Sequence, residues 1–206
     1  MLFQGQVVNK VPNARATGNP NALQLMLGEF GVSEIMGRYS ALAQSGLLFC
    51  ARCALQATSL VGTAMVGLQL WNRNAAVNLH LLKLGGNIVA TSATQTGLAL
   101  AFGTGQLNAP TGQTAASSVI NNLIGGAAPS ALALAAGTFT NAPVAQIDLL
   151  HNTAAIATTG EDQGFYLDLE GSIVVAPNAY AAIASLGAAG AASSNNLWAM
   201  WAELPV

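Results

Sequence analysis

The stretch QGFYLDLEGSIVVAPNAYAAIAS, residues 163–185, determines the fold class. Over residues 163–169, apolar side chains alternate with Tyr and Asp, which is the period-two pattern of a β-strand with one buried face. Glu170 and Gly171 form one turn signal, and Pro177 and Asn178 form another. The stretch therefore predicts three short antiparallel strands joined by turns.

The same kind of pattern continues on both sides of this stretch. Residues 197–204 predict a closing strand that places two sets of residues on opposite faces: Trp198, Met200 and Ala202 on one, and Leu197, Ala199 and Trp201 on the other. Upstream, apolar runs rich in Val and Thr predict strands over 47–57, 59–71, 77–84, 88–94 and 97–104. Strands at a spacing of about 8–12 residues, without a long amphipathic helix, are typical of a sandwich or jelly roll.

Three details of this pattern carry specific expectations. Gly85, Gly86 and Asn87 predict a turn after the strand at 77–84, where Leu82 and Leu84 make the second face partly apolar. Residues 105–145 are rich in Ala, Gly, Asn, Thr and Pro and predict long loops. Within them, 117–124 and 130–136 fit a short helix or a strand equally well.

The predicted fold class is therefore all-β: a jelly-roll-like antiparallel β-sandwich with an extended N-terminal arm. The arm covers residues 1–27, which Asn, Pro and Gly interrupt without any lasting period, and the sandwich covers residues 28–206. Residues 28–38 fit a strand with a turn or a short helix. A chain of 206 residues buries about 70% of its unfolded surface, so the core needs no disulfide or metal.

Charge is scarce in this chain. Charged residues make up 7% of the sequence and hydrophobic residues 52%, whereas about 25% charge is usual. No uninterrupted apolar stretch reaches 18 residues, and neutral polar residues replace the missing charges, so we expect no membrane partner. Residues 1–10 lack the pattern of a secretory signal. Weak electrostatic protection against self-association indicates a surface that an oligomer or lattice covers.

The few charges are unevenly distributed. The first 83 residues contain all six basic residues, residues 84–147 contain no charge, and six of the eight acids follow. The basic residues are Lys10, Arg15, Arg38, Arg52, Arg73 and Lys83. They form no cluster that would neutralise phosphates, so we expect no nucleic-acid partner. The asymmetry fits scattered solvated charges or complementary pairing between subunits.

Residues that often carry chemistry do not form a recognisable site. Cys50 and Cys53 form a single CxxC pair, which a strand would direct to opposite faces, so buried free thiols are favoured over a disulfide or a metal site. Asp148 and His151 lack a nucleophile motif beside them. The acids at 161, 162, 168 and 170 fit a polar turn better than a calcium loop. The sequence therefore predicts no catalytic residue, no metal and no cofactor.

Aromatic residues near the C-terminus are candidates for an interface. Trp198 and Trp201 lie within the predicted closing strand, near Glu203. Tryptophan contributes strongly to binding, and residues on opposite faces of a strand can serve a core and a contact together. The alternative is that both side chains pack inside the sandwich.

Several segments resemble a group of tailed-phage structural proteins. Residues 28–39, GEFGVSEIMGRY, resemble the opening "GE…VSE…GRYYE" of that group, and residues 45–49, SGLLF, resemble its "RGNVF" step. Residues 70–72, LWN, are similar to its "LWNP" turn. Residues 167–180, LDLEGSIVVAPNAY, resemble "LDLGGAIVVPPGGY", and residues 198–206, WAMWAELPV, resemble its terminal "W.EVPV".

This group is the capsid decoration, or cement, family. The resemblance implies a jelly-roll or tulip-like sandwich, made in the host cytoplasm and bound to the outer surface of the virion. There it bridges neighbouring capsomers through the major capsid protein and through its own copies, as a homotrimer or a homodimer, with the homotrimer favoured. It implies no catalytic residues. We expect Lys10 and Arg15 of the arm to meet an acidic capsid face. The predicted interface set is Lys10, Arg15, Arg38, Trp198 and Trp201.

Two other functions fit the sequence. One is a head fibre, knob or tail-associated module that binds a host glycan or protein through exposed aromatic residues, with Phe165, Tyr166 and Tyr180 as candidates. The other, less favoured, is an enzyme of the depolymerase class. The number of copies in each particle separates cement from a receptor-binding module.

Overall fold

The structure is a computed structural model that describes residues 25–27, 33–35, 38–53, 59–90, 98–150, 163–185 and 194–206. Its first half contains β1 (Leu25–Leu27), β2 (Ser33–Ile35), α1 (Arg38–Gln44), β3 (Leu48–Arg52), β4 (Ser59–Val61), β5 (Ala64–Trp71), β6 (Val77–Ala90) and β7 (Leu98–Gly103). Its second half contains β8 (Thr111–Ala115), β9 (Ser118–Asn121), β10 (Leu132–Thr138), β11 (Val144–Leu150), β12 (Gln163–Val175), β13 (Tyr180–Ser185) and β14 (Ser194–Pro205). The predicted all-β class is confirmed.

The N-terminal region differs in part from the prediction. Residues 1–24 of the predicted arm lie outside the described residues, and its last three residues form β1, which pairs with β2. Over residues 28–38, a strand and the start of a helix are both present, because β2 is followed by α1. The helix ends at Gln44, and Gly46 follows two residues later with a φ of 68°, in the left-handed region that favours glycine.

The described strands form two main antiparallel sheets. The five-stranded sheet has the order β12-β6-β14-β3-β9. The seven-stranded sheet has the order β11-β7-β13-β5-β10-β8, with β4 also paired to β5. Leucines from β5, β6 and β7 fill the space between the sheets, where Trp201 lies against Phe49 with ring centroids 5.9 Å apart. Each sheet therefore has one face in a shared core.

The strand order is that of a jelly roll. The strands β3, β5, β6 and β7 pair with β14, β13, β12 and β11, respectively, so the first half of a long antiparallel ribbon is matched with the second half in reverse. Successive strands of this ribbon alternate between the sheets, except that β7 and β11 share one. Rolling such a ribbon produces the two facing sheets of a jelly roll.

The segment from β8 to β10 is an addition to this plan, and it corrects the prediction of long loops over 105–145. Of the alternatives open for 117–124 and 130–136, the strand is the one present, as β9 and β10. The strands β10 and β8 extend the seven-stranded sheet beyond β5, and β9 extends the five-stranded sheet beyond β3. All five residues of β8 are exposed. A strand with no buried face has no apolar alternation, so pairing with β10, and not the local pattern, produces β8.

The strand β6 corrects two further predictions. It continues through Gly85 and Gly86, where a turn was expected, because neighbouring side chains occupy the space above both glycines. Leu82 has no partner in the register with β14, so it forms a bulge. The bulge returns Leu84 to the core face while Leu82 packs on the opposite face under α1.

The two predicted turns of the opening stretch have different outcomes. Glu170 and Gly171 have φ values of 49° and 79°, but β12 continues past them, with residues 169–172 opposite Leu82 as a wide irregularity. The predicted turn is therefore a bulge in one long strand. The turn at Pro177 and Asn178 is confirmed, with φ of 60° at Asn178, and it takes the chain from one sheet to the other.

Candidate functional site

The outer face of the five-stranded sheet contains two rows of side chains that cross the strands. The strand register places Tyr166, Gly85, Trp198, Arg52 and Ser118 in one row. The next row contains Asp168, Lys83, Met200, Cys50 and Ile120. Residues two apart along a strand share a face, so these rows form one continuous surface.

Charged and aromatic groups meet at the β12 end of these rows. The Lys83 ammonium lies 3.4 Å from Asp168 Oδ2, and the Tyr39 hydroxyl donates a hydrogen bond to Asp168 Oδ1 at 3.1 Å. The same ammonium lies 4.8 Å from the ring centroid of Tyr39 and 5.6 Å from that of Tyr166, within the range of cation–π contacts. We call Tyr39, Lys83, Tyr166 and Asp168 the lysine cluster. It ties α1 to β6 and β12.

The lysine cluster shifts the pKa values of both charged groups toward their ionised forms. The Tyr166 hydroxyl is the largest cause that raises the pKa of Lys83 above 10.5; partial burial opposes it, and Asp168 adds to it. Partial burial is the largest single influence on Asp168 and acts upward. The Glu170 backbone, the Tyr39 hydroxyl and Lys83 together outweigh it and hold the Asp168 pKa below 3.8.

The lowered pKa of Asp168 predicts that the protein loses stability at acid pH. A carboxylate with a lowered folded-state pKa stabilises the fold fully above 3.8, and this contribution is lost as the pH falls through the folded-state pKa. The lysine contribution is present below 10.5 and is lost above it. Asp168→Asn should therefore unfold at a lower temperature than the wild type near neutral pH, by a modest margin because both groups are solvated.

The measurement is the midpoint of thermal unfolding against pH. The gap between wild type and Asp168→Asn should close as the pH falls below 3.8. Glu170→Gln is the control, because it removes an exposed carboxylate from the same strand. A gap that persists unchanged in acid would show that the Asp168 charge is not its source.

Trp198 lies in the middle of the first row. It is half-buried and leans over Gly85, where an added Cβ would come within 2.4 Å of its ring. Its ring centroid is 6.1 Å from that of Tyr166, which is 59% exposed. On the other side, Arg52 donates a hydrogen bond to Asn196 Oδ1 at 2.9 Å. The glycine thus makes room for an aromatic surface that continues to an exposed arginine.

The remaining predicted interface residues are distributed differently. Trp201 is 0% exposed in the core, so its surface is not available for the predicted contact, because its side of β14 faces the opposite sheet. Arg38 is the first residue of α1. Lys10 and Arg15 lie outside the described residues. The structure therefore brings only Trp198 of this set to the described outer face.

The aromatic residues considered for host binding also lie in different environments, exposed or buried. Tyr166 is exposed, whereas Phe165 packs against the core from the opposite face of β12. Tyr180 is 0% exposed and lies against Phe139, with ring centroids 4.0 Å apart, and its hydroxyl bonds the Asn141 carbonyl. Tyr180 is thus excluded as a surface residue in this structure, since the 139–141 segment covers that face of the sheet. Burial raises its pKa to about 12.

Glu203 holds the added segment from β8 to β10 against the end of β14. It is 7% exposed, and its carboxylate accepts hydrogen bonds from the Ser130 N–H and hydroxyl, from the Ala131 N–H and from the Trp201 indole, at 2.6–3.3 Å. These contacts fasten the start of β10 to the end of β14. The carboxylate serves as a buried structural acceptor.

The two cysteines are free thiols. Cys53 is buried in the core, and burial raises its pKa to about 12. Cys50 faces the outer surface half-buried, with its pKa also raised by burial, against a lowering hydrogen bond to Asn122. Raised pKa values keep both groups in the unreactive thiol form at neutral pH. The predicted placement on opposite faces is confirmed, and Cys53 is buried as expected, whereas Cys50 is only half-buried.

A second candidate surface lies at the outer edge of β9, within the region where long loops were expected and 117–124 fitted a short helix or a strand. Val119, Ile120, Leu123 and Ile124 are all exposed, and Ile124 is 87% exposed. We call residues 118–124 the β9 edge. No charged residue occurs between positions 84 and 147, so the β9 edge lacks the charges that usually protect an open strand. In the sequence, the close spacing of these four apolar residues was the feature that could have indicated this surface.

The described part of the chain contains no group of three or more His, Cys, Asp or Glu residues placed to hold a metal ion. His151, Glu161 and Asp162 lie outside it. No helix among the described residues is long and apolar enough to span a membrane.

Comparisons with known proteins add no family assignment. Searches with the whole chain against protein-family models, curated proteins and solved structures find no match. The fold and these surfaces therefore carry the functional reasoning.

Proposed function

We propose that this chain is a structural protein of a tailed-phage particle that decorates the outer capsid and bridges neighbouring capsomers. Its partners in this proposal are the major capsid protein and further copies of itself, as a homotrimer rather than a homodimer. The role is mechanical and not catalytic. A protein repeated over the seams of a shell adds its binding free energy at every symmetry-related site.

The observation that carries this proposal is the β9 edge. A jelly roll is compatible with the role but does not select it, because capsid proteins, lectins and cupins share that architecture. An open strand edge with exposed apolar residues and no protecting charge is a liability in an isolated protein. It is an advantage in a protein whose edges are covered in an assembly.

The low charge of the chain supports the same proposal. With 7% charged residues, apolar and neutral polar contacts must supply most of the binding free energy. In the proposal, Lys10 and Arg15 of the N-terminal arm supply the charged exception by contacting an acidic capsid face.

A second candidate is a host-binding module on a fibre or tail. The observation that favours it is the pair Tyr166 and Trp198 on the outer face of the five-stranded sheet. An exposed aromatic surface with adjacent polar groups is suited to stacking on a ligand. Tyr166→Ala would remove most of the exposed part of this surface.

The deciding experiment is a cryo-electron microscopy map of the particle that contains this chain. The capsid-decoration proposal predicts density on the outer shell at every local two-fold or three-fold axis. Density only at vertices, on the tail or on sparse projections would overturn the cement proposal and favour host binding.

Add-back to particles that lack the chain gives an independent test. The wild-type chain should raise the temperature at which these particles release DNA. The variant Lys10→Glu with Arg15→Glu should bind less well, and Leu107→Glu, at a 72% exposed position, should bind like the wild type. If the arm variant binds as well as the wild type, the assigned capsid contact is wrong.

A further inference from the structure

We propose that copies of this chain associate head to tail, with the β9 edge of one copy against the outer edge of β12 in the next. This inference deepens the proposed self-assembly and specifies the two surfaces involved. Residues 163–175 form the second surface, which we call the β12 edge. Because its test uses the isolated chain, self-association and capsid binding can fail separately.

The two edges lie on opposite sides of the sandwich. Among the described residues, β9 pairs only with β3, and β12 pairs only with β6, so each ends the five-stranded sheet. Each leaves one side of its backbone without a strand partner in that sheet. Such edges join by adding a strand from another chain.

Both edges carry exposed apolar side chains of similar extent. Ile120 on the β9 edge is 49% exposed, and Val174 on the β12 edge is 46% exposed. Tyr166 adds further exposed aromatic surface to the β12 edge. Burying these residues against each other would remove apolar surface from water on both copies.

Charge selects the head-to-tail arrangement over a two-fold one. The exposed Arg52 on β3 lies next to the β9 edge, opposite Ser118. The exposed Glu170 lies on the β12 edge. Pairing unlike edges brings opposite charges together, whereas pairing two β9 edges brings the Arg52 residues of both copies toward each other.

Head-to-tail contacts have a consequence for assembly. An interface between two different surfaces leaves one free surface on each end of a dimer, so further copies add until a ring closes or a filament grows. An interface between two identical surfaces stops at the dimer. The number of chains in each complex that the isolated protein forms therefore distinguishes a head-to-tail contact from a two-fold one.

The test uses one charge substitution on each edge, measured by light scattering and native mass spectrometry. Ile120→Glu places an acid against the acidic β12 edge, and Val174→Lys places a base beside Arg52 of the neighbour. Each variant alone should weaken self-association by about 100-fold or more. Leu107→Glu and Leu107→Lys, at a 72% exposed position on neither edge, should assemble like the wild type.

Mixing the two variants gives the decisive result. Ile120→Glu retains a native β12 edge and Val174→Lys retains a native β9 edge, so the mixture should form complexes that contain both variants. If Val174→Lys assembles normally while Ile120→Glu is monomeric, the contact is a two-fold β9 pairing and the proposal is wrong. A wild-type chain that stays monomeric at high concentration also overturns it. Thermal unfolding of each variant confirms that a monomeric result is not caused by misfolding.

Discussion

Gly103→Ala is expected to lower the free energy of unfolding by about 3 kcal/mol, near the upper end for an overpacked core. A Cβ at this position would lie 2.2 Å from the Tyr180 ring. The ring cannot move away easily, because it is fully buried, contacts Phe139 and bonds the Asn141 carbonyl through its hydroxyl. The added methyl group must therefore distort β7 or β13.

Chemical denaturation of three glycine variants measures this effect against matched controls. Gly164→Ala should be neutral or slightly stabilising, because its Cβ meets only the Gly86 carbonyl at 3.6 Å. Gly85→Ala should cost less than Gly103→Ala, because Trp198 is half-buried and can move toward solvent. In a Tyr180→Ala background, Gly103→Ala should cost little. A full cost in that background would place the strain elsewhere.

Glu203→Gln is expected to lower the free energy of unfolding by about 3 kcal/mol, because hydrogen bonds to charged groups each contribute about 1.5–3 kcal/mol. Four donors converge on the two carboxylate oxygens of Glu203. Glutamine replaces one oxygen with an NH₂ group, which points a donor at other donors. Glutamine is therefore close in size to glutamate, but its NH₂ group cannot accept the hydrogen bonds that the carboxylate oxygen accepts.

Denaturation by urea, with Glu170→Gln as the exposed control, tests this prediction. Ser130→Ala should cost less than Glu203→Gln, because it removes only one of the two Ser130 contacts. Hydrogen exchange should show faster opening of β10 in Glu203→Gln than in the wild type, since the carboxylate fastens the start of that strand. A loss below about 1 kcal/mol would mean that the buried carboxylate is not the main anchor.

The predicted strands were correct where apolar residues run through a short segment or alternate along it. β13 is buried on both faces. In β14, Leu197, Ala199 and Trp201 face the core, and Met200 and Ala202 lie on the opposite face under α1. The prediction of a turn at Gly85 and Gly86 was wrong, because glycine occurs both in turns and where another group packs closely against the backbone. At Gly85 that group is the ring of Trp198, which is more than 100 positions away in sequence.

The candidate surfaces were predicted less completely than the fold. Trp198 was among the predicted interface residues, but its neighbours Lys83, Asp168 and Tyr39 come from three separate elements. Only strand register and the position of α1 bring them together. The β9 edge was missed because β8 and β9 have little or no buried face, and pairing to β3 and β10 is a property of the folded chain.

The sequence by itself determined the all-β class, most of the ribbon strands and the shortage of charge, because these depend on local periodicity and composition. The tertiary structure alone decided the jelly-roll pairing, the bulges of β6 and β12, and which tryptophan reaches the surface. Those features depend on contacts between residues far apart in the chain, which local propensity does not encode.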